Sequence, residues 1–140
     1  MKESPSFQDD PALLLTLDED QWFERKSFRI APKDLAKTVV AMANAEGGVI
    51  AVGITDRRFD GQPTSAQEND LRQVTFDHTD PTVRVGVEAL DTEEGASVLL
   101  FNVLPSDRVH YLKSGECFLR VGDESKRLKA DDILELRYTK

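Results

Sequence analysis

The sequence predicts an α+β fold: a single mixed-sheet domain with packed helices. Three observations carry that expectation. Helix-like and strand-like periodicities alternate at first, then give way to several strands in succession and a closing helix. A helical segment runs directly into Gly47-Gly48 and from there into an apolar strand. The length, 140 residues, suits one domain over 12–137, behind a lead-in over 1–11 that lacks periodicity and is expected to be disordered. The run of strands argues against a doubly wound parallel sheet.

A short apolar helix is expected over 12–17, ahead of the acidic run Asp18-Glu19-Asp20. Residues 22–28 alternate as a strand, with Glu24 and Lys26 on one face and Phe23 on the other. Pro32 then suits the first turn of a helix, where its missing N–H costs little. Leu35, Val39, Met42 and Ala43 recur at helical spacing and mark a core face. Gly47 ends this helix, and Gly48 permits close packing of helix on sheet. Residues 49–54 are a continuous apolar run, the pattern of a strand buried on both faces. Gly53 allows close approach at its end.

Residues 56–61 form a turn rich in Asp, Arg and Gly, and Thr64-Ser65-Ala66-Gln67-Glu68 has the form of a helix start, with Leu71 and Val74 facing the core. Beyond Asp80-Pro81, strands are expected over 83–90, half-buried by its alternation, and over 98–104. Segments 110–112 and 117–121 flank Lys113-Ser114-Gly115 and predict a hairpin. A last helix over 130–136 is expected to bury Ile133, Leu134 and Leu136.

Composition narrows the function classes. No apolar run approaches the roughly 18–20 residues that span a bilayer, and the first residues are acidic and polar, so a cytoplasmic location without membrane contact is the default expectation. The single cysteine, Cys117, excludes an internal disulfide and reads as a half-buried small apolar residue. A net charge of −8 weighs against nucleic-acid binding, which usually leaves a basic footprint. The basic residues fall in three groups: Arg25, Lys26 and Arg29; Arg57 and Arg58; Arg120, Lys126, Arg127 and Lys129. They read as solvated surface unless the fold gathers them on one face.

Few patterns carry chemistry. The glycines from Gly47 to Gly53 open a strand rather than a helix and lack a Gly-Lys-Ser/Thr, which excludes a phosphate loop. His110 reads as a core or edge histidine, and His78 is assigned no role. Glu19, Glu24 and Asp56 sit at the edges of predicted elements. Carboxylates that converge repel one another unless a divalent cation lies between them, and Mg2+ or Mn2+ so held can activate water against a phosphodiester. Lys26 on the Glu24 face would stabilise charge on the phosphate. On the residues alone, a surface ion pair along the strand stands beside this reading.

Four pieces in order resemble the Schlafen AlbA-type domain. They are Glu19 with Glu24-Arg25-Lys26; Ala41-Met42-Ala43-Asn44-Ala45-Glu46-Gly47-Gly48; Gly53-Ile54-Thr55-Asp56 with Asp60-Gly61; and Phe118-Leu119-Arg120-Val121-Gly122-Asp123 behind Val109-His110-Tyr111. Arg25 departs from the family's apolar residue and Asp123 from its small polar one.

The resemblance implies a mixed α/β fold and a nucleic-acid-related role. It assigns Asn44, Gly47, Gly48 and Gly53 to structure. On the binding reading, the basic residues Arg25, Lys26, Arg57, Arg58 and Arg120 are the expected contacts to DNA or RNA. In members that cleave RNA the resemblance maps the metal-binding triad onto Glu19, Glu24 and Asp56, with Mg2+ or Mn2+. The leading reading is a nucleic-acid-binding regulatory domain, like those of transcriptional regulators, that requires no cofactor. A metal-dependent endoribonuclease is the alternative, and an interaction or dimerisation module without nucleic acid is the third. Cleaving members use two such lobes, so a single lobe is expected to form a homodimer.

Overall fold

The segment with the clearest helical spacing is also the centre of the molecule. The computed structural model describes residues 7–140. Its elements are α1 (Leu13–Thr16), β1 (Phe23–Lys26), α2 (Pro32–Asn44), β2 (Gly48–Val52), β3 (Ile54–Thr55), β4 (Arg58–Phe59), α3 (Ser65–Arg72), α4 (Val74–His78), β5 (Thr79–Asp80), β6 (Val85–Asp91), β7 (Ser97–Val103), β8 (Tyr111–Leu112), β9 (Phe118–Val121), β10 (Glu124–Arg127) and α5 (Ala130–Thr139).

Pro32 opens α2 at its first position. Gly47, at φ 78°, closes it by donating its N–H to the Met42 carbonyl at 2.8 Å. At Gly48 a Cβ would lie 2.8 Å from Met42 Sδ and 2.9 Å from the Trp22 carbonyl oxygen, so a side chain there would push helix and strands apart. Thr64 and Gln67 form a reciprocal capping box at the start of α3. Leu71 and Val74 are buried, as their spacing predicts.

The main sheet has the order β1-β2-β7-β6. β1 and β2 are parallel, and the other pairs are antiparallel, which is the mixed sheet expected. β2 is interior and sheltered on both faces. Ile50 and Val52 join the cluster of Leu35, Val39 and Met42 on the α2 side, while Ala51 joins Leu14, Phe23, Leu90 and Leu100 on the other.

Four local expectations need correction. Residues 1–6 of the expected lead-in lie outside the described residues. Phe7 of that lead-in is buried, with its ring 6.4 Å from that of Phe23, because it joins Leu14, Ile54 and Leu90 in the apolar cluster on the face opposite α2. The strand over 49–54 breaks at Gly53, where Phe28 approaches so closely that a Cβ would lie 2.6 Å from its ring; Ile54–Thr55 turns away as a separate strand.

The predicted hairpin of 110–112 with 117–121 is also replaced: β8 pairs with β5, and β9 with β10. Only the tight turn survives, with the Leu112 N–H donating to the Glu116 carbonyl at 2.8 Å. The Asn44 side chain sits between the two arms instead. Finally, no residue of α5 is buried, and Leu134 is 55% exposed. That helix is tied by polar contacts, from Arg137 to the Tyr111 hydroxyl and from Lys140 to the Ser106 carbonyl, rather than by its apolar side chains.

Candidate functional site

Alternation along β1 places Glu24 and Lys26 on the face toward α2 and the β9–β10 hairpin, as predicted. Phe23 and Arg25 take the other face. Glu24 is buried. One carboxylate oxygen accepts from the Arg120 guanidinium on β9, and the other lies 2.5 Å from Lys26 Nζ and 3.5 Å from Thr38 Oγ1 on α2. The Arg120 side chain is 0% exposed. It also donates to the Asp20 carbonyl at 2.9 Å and the Phe23 carbonyl at 3.3 Å.

Gln21 ties the same hairpin from outside. It donates to the Arg120 carbonyl at 2.9 Å and accepts from the Gly122 N–H at 2.8 Å. Strand β1 and the β9–β10 hairpin are thus clamped by one buried ion pair and one amide. Over the clamp lies an open cleft of about 700 Å3 lined by Glu19, Glu24, Lys26, Lys37, Thr38 and Asp123, among others.

The structure brings Glu19 and Glu24 to this cleft and leaves Asp56 out. Glu19 Oε2 accepts from the Arg25 N–H at 2.9 Å. Asp56 lies at the tip of the β3–β4 hairpin, exposed, in a two-residue loop where Asp56 (φ 49°) and Arg57 (φ 59°) are both left-handed. Among the described residues no group of three His, Cys, Asp or Glu side chains is gathered to hold a metal. The Glu24 carboxylate is already paired with Arg120 and Lys26. The three acids therefore do not fit Mg2+ or Mn2+ in this arrangement, and no step through such an ion follows from them.

The predicted phosphate contacts divide in the same way. Arg120 has no exposed side-chain surface to offer. Arg25 donates to the carbonyls of Leu14 (3.1 Å) and Leu17 and lies over the Phe23 ring. Arg57 donates to the carbonyls of Leu15 (3.2 Å) and Thr16 (3.1 Å) and to Asp18 (3.3 Å). Both arginines thus satisfy the open carbonyls at the end of α1. Arg58 is exposed on β4, and Arg29 reaches the same hairpin through Thr55 Oγ1 at 3.5 Å. The fold therefore gathers Arg29, Arg57 and Arg58, from two separate sequence clusters, around one exposed hairpin.

Asn44 has a structural role that uses its whole amide. Oδ1 accepts from the His110 N–H at 2.8 Å, and Nδ2 donates to the carbonyls of His110 and Phe118, each at 2.9 Å. His110 is buried, with Nδ1 2.6 Å from the Pro81 carbonyl and Nε2 2.8 Å from Ser106 Oγ, so its ring is committed to the core edge as read. Cys117 is more deeply buried than the half-buried position expected, and burial pushes its thiol above the ordinary value.

Sequence reasoning gave Asp60 no role of its own. It accepts from Ser27 Oγ (3.1 Å), the Phe28 N–H (2.9 Å) and Thr55 Oγ1 (2.7 Å), fixing the end of β1 to the hairpin. Thr38 was missed too, although a polar residue one position before Val39 on an apolar helix is a readable signal.

A helix closed by Gly-Gly, a mixed four-stranded sheet and a hairpin clamped onto its edge strand define a class of small α+β domain. The fold is shared with solved structures. The chain is similar to the crystal structure of the DIP2311 protein from Corynebacterium diphtheriae, at 23% identity and a TM-score of 0.63, with 91% of this chain and 30% of that one covered. It is also similar to the solution structure of the N-terminal domain of a RecG-related protein from Nitrosomonas europaea, at 23% identity and a TM-score of 0.59, with 90% of this chain and 95% of that domain covered. The chain thus spans less than a third of the DIP2311 protein. No curated protein matches the sequence. The family model for Schlafen, AlbA_2 matches residues 19–129, and the chain belongs to that family. Among the described residues no helix is long and apolar enough to cross a membrane.

Proposed function

We propose that this domain is a regulatory nucleic-acid-binding module, of the kind found in transcriptional regulators, that acts as a homodimer and does not itself cleave its ligand. The observation that supports binding over cleavage is the state of Glu24. A nuclease needs that carboxylate open to a metal, whereas here it is the counter-ion of a buried arginine. The exposed β3–β4 hairpin, with Arg58 at its end and Arg29 beside it, is the surface this reading assigns to phosphate.

Fluorescence anisotropy with single-stranded RNA and duplex DNA probes at about 50 mM salt tests the reading. Arg58→Glu and Arg29→Glu are each expected to weaken binding and to flatten its salt dependence by about one unit per lost phosphate contact. Binding unaffected by either change would move the interface elsewhere. Absence of affinity for both probes would leave a protein-interaction module, which the net charge of −8 favours.

A further inference from the structure

The sheet order leaves β6 at an edge. β7 pairs along one side of it, and among the described residues no strand pairs along the other. Native edge strands are commonly guarded by charged side chains, above all Lys, by Pro, by a bulge or by a covering element. β6 runs in register with β7 over all seven residues, without a bulge, contains neither Pro nor Lys, and has Glu88 and Asp91 as its charged side chains. Beside it Phe76 is 69% exposed and Leu104 59% exposed. Both line a groove of about 650 Å3 together with Arg72, Val85 and Val87.

Gly86 adds a second observation. A glycine inside a strand weakens it and often marks a place where another backbone comes close. Nothing within one copy demands it: its φ is not positive, and a Cβ would meet only Asn102 Cβ, at 4.0 Å.

We propose that two copies of this chain join through their β6 edges, antiparallel about a two-fold axis at Gly86, into one continuous sheet. The proposal rests on the homodimer named above and adds its interface. A two-fold axis perpendicular to a sheet pairs residues on the same face, so it must pass through one residue and its own mate. An axis at Glu88 sets that carboxylate against itself and Val85 against Asp91. An axis at Val87 sets Arg84 against Leu90 and Glu88 against Gly86. An axis at Gly86 sets Arg84 against Glu88 of the second copy twice, and Val85 against Val87 twice. Opposite charges directly across a sheet attract and like charges repel, so this register is the one the side chains select. Glu88 already accepts one hydrogen bond from Gln8, at 2.9 Å, through a single oxygen, and the other oxygen remains for Arg84. The pair Val85 and Val87 lies on the α2 face, where the second copy would extend the apolar surface beside Phe76.

Sedimentation equilibrium on the full chain tests the interface. Arg84→Glu and Glu88→Arg are each expected to raise the dimer dissociation constant about tenfold or more, because two attractive pairs become repulsive. Mixing the two variants should restore a dimer, since the first then presents acids at both positions to the two bases of the second. A wild-type chain that stays monomeric at high concentration overturns the homodimer and this interface with it. A dimer that neither variant weakens keeps the homodimer and overturns the interface. Two monomeric variants that fail to pair on mixing overturn the register about Gly86.

Discussion

Glu24 and Asp56 read from the sequence as members of one acidic site, and the fold treats them in opposite ways. Glu24 is carried by a strand into a buried place, where Arg120 and Lys26 neutralise it and Thr38 supplies a further hydrogen bond. Asp56 is carried to a hairpin tip and left in water. Removal from water makes an ionised group dependent on its partners, and exposure leaves it independent of them. The same side-chain chemistry therefore becomes architecture at one position and a solvated charge at the other. The basic residues repeat the lesson: Arg120 is committed inside, and Arg58 stays in solvent.

This contrast is open to direct test. The largest effect is expected from an acid buried without a cation. Val52→Asp places a carboxylate in the middle of the core at the end of β2, at a cost of several kcal/mol, and is expected to leave the chain unfolded by circular dichroism. A folded, soluble variant with an unchanged melting temperature would show that burial alone does not decide the matter.

Breaking the existing pair comes next. Glu24→Gln should cost about 3–5 kcal/mol, because the Arg120 charge is stranded in the interior, and Arg120→Met should cost less, because Glu24 keeps Lys26. In a chain of this size the larger loss lowers the melting temperature by roughly 10–20 °C. If the double variant recovers much of the loss, the penalty belongs to the orphaned charge rather than to the bond.

Asn44→Ala removes three hydrogen bonds from buried backbone groups, and each orphaned group costs about 1–3 kcal/mol. Urea denaturation should show a stability loss in that range or above it. Asp56→Asn, by contrast, should change stability by less than about 0.5 kcal/mol. Mn2+ is expected to leave the melting temperatures of both the wild type and Asp56→Asn unmoved. A Mn2+-dependent rise that Asp56→Asn abolishes would restore the acid triad that the geometry does not assemble.

The Cys117 thiol gives the smallest effect, and its sign follows from burial. The folded state holds the thiol proton more tightly than the unfolded chain does. Its stabilising contribution is therefore complete below the ordinary thiol value and is lost as pH rises through the raised one. Labelling by a thiol reagent should follow unfolding rather than the native population, and rapid native-state labelling would place the sulfur nearer to solvent than it stands here.

The parts that were legible in the sequence are those governed by local pattern. The spacing of Leu35, Val39 and Met42, the Gly47-Gly48 stop and the apolar run behind it identify α2 and β2 with the correct exposure of each face. What escaped was decided by residues far apart in the chain. The amide of Asn44 takes the place of the expected hairpin pairing from 66 and 74 residues away. Arg120 meets Glu24 across 96 residues, and no property of either sequence neighbourhood says that the arginine will be dry. The face of α5 was misread because Ile133 and Leu136 are only half-buried and Leu134 is exposed, with no full layer beneath them. Apolar periodicity predicts a helix, but it cannot supply the layer the helix is meant to bury against.

The clamp between β1 and the β9–β10 hairpin also bears on how the molecule comes apart in time. A contact that closes so long a stretch of chain pays its loop entropy before it is rewarded, whereas α2 and β2 are neighbours in sequence and meet early. We expect the Glu24–Arg120 pair to be absent from the folding transition state. Arg120→Met should then accelerate unfolding while leaving the refolding rate nearly unchanged in stopped-flow measurements. A slowed refolding limb would instead put the hairpin in the nucleus. On the expected course, the lifetime of the native state is governed by a pair that has no part in how quickly that state is reached.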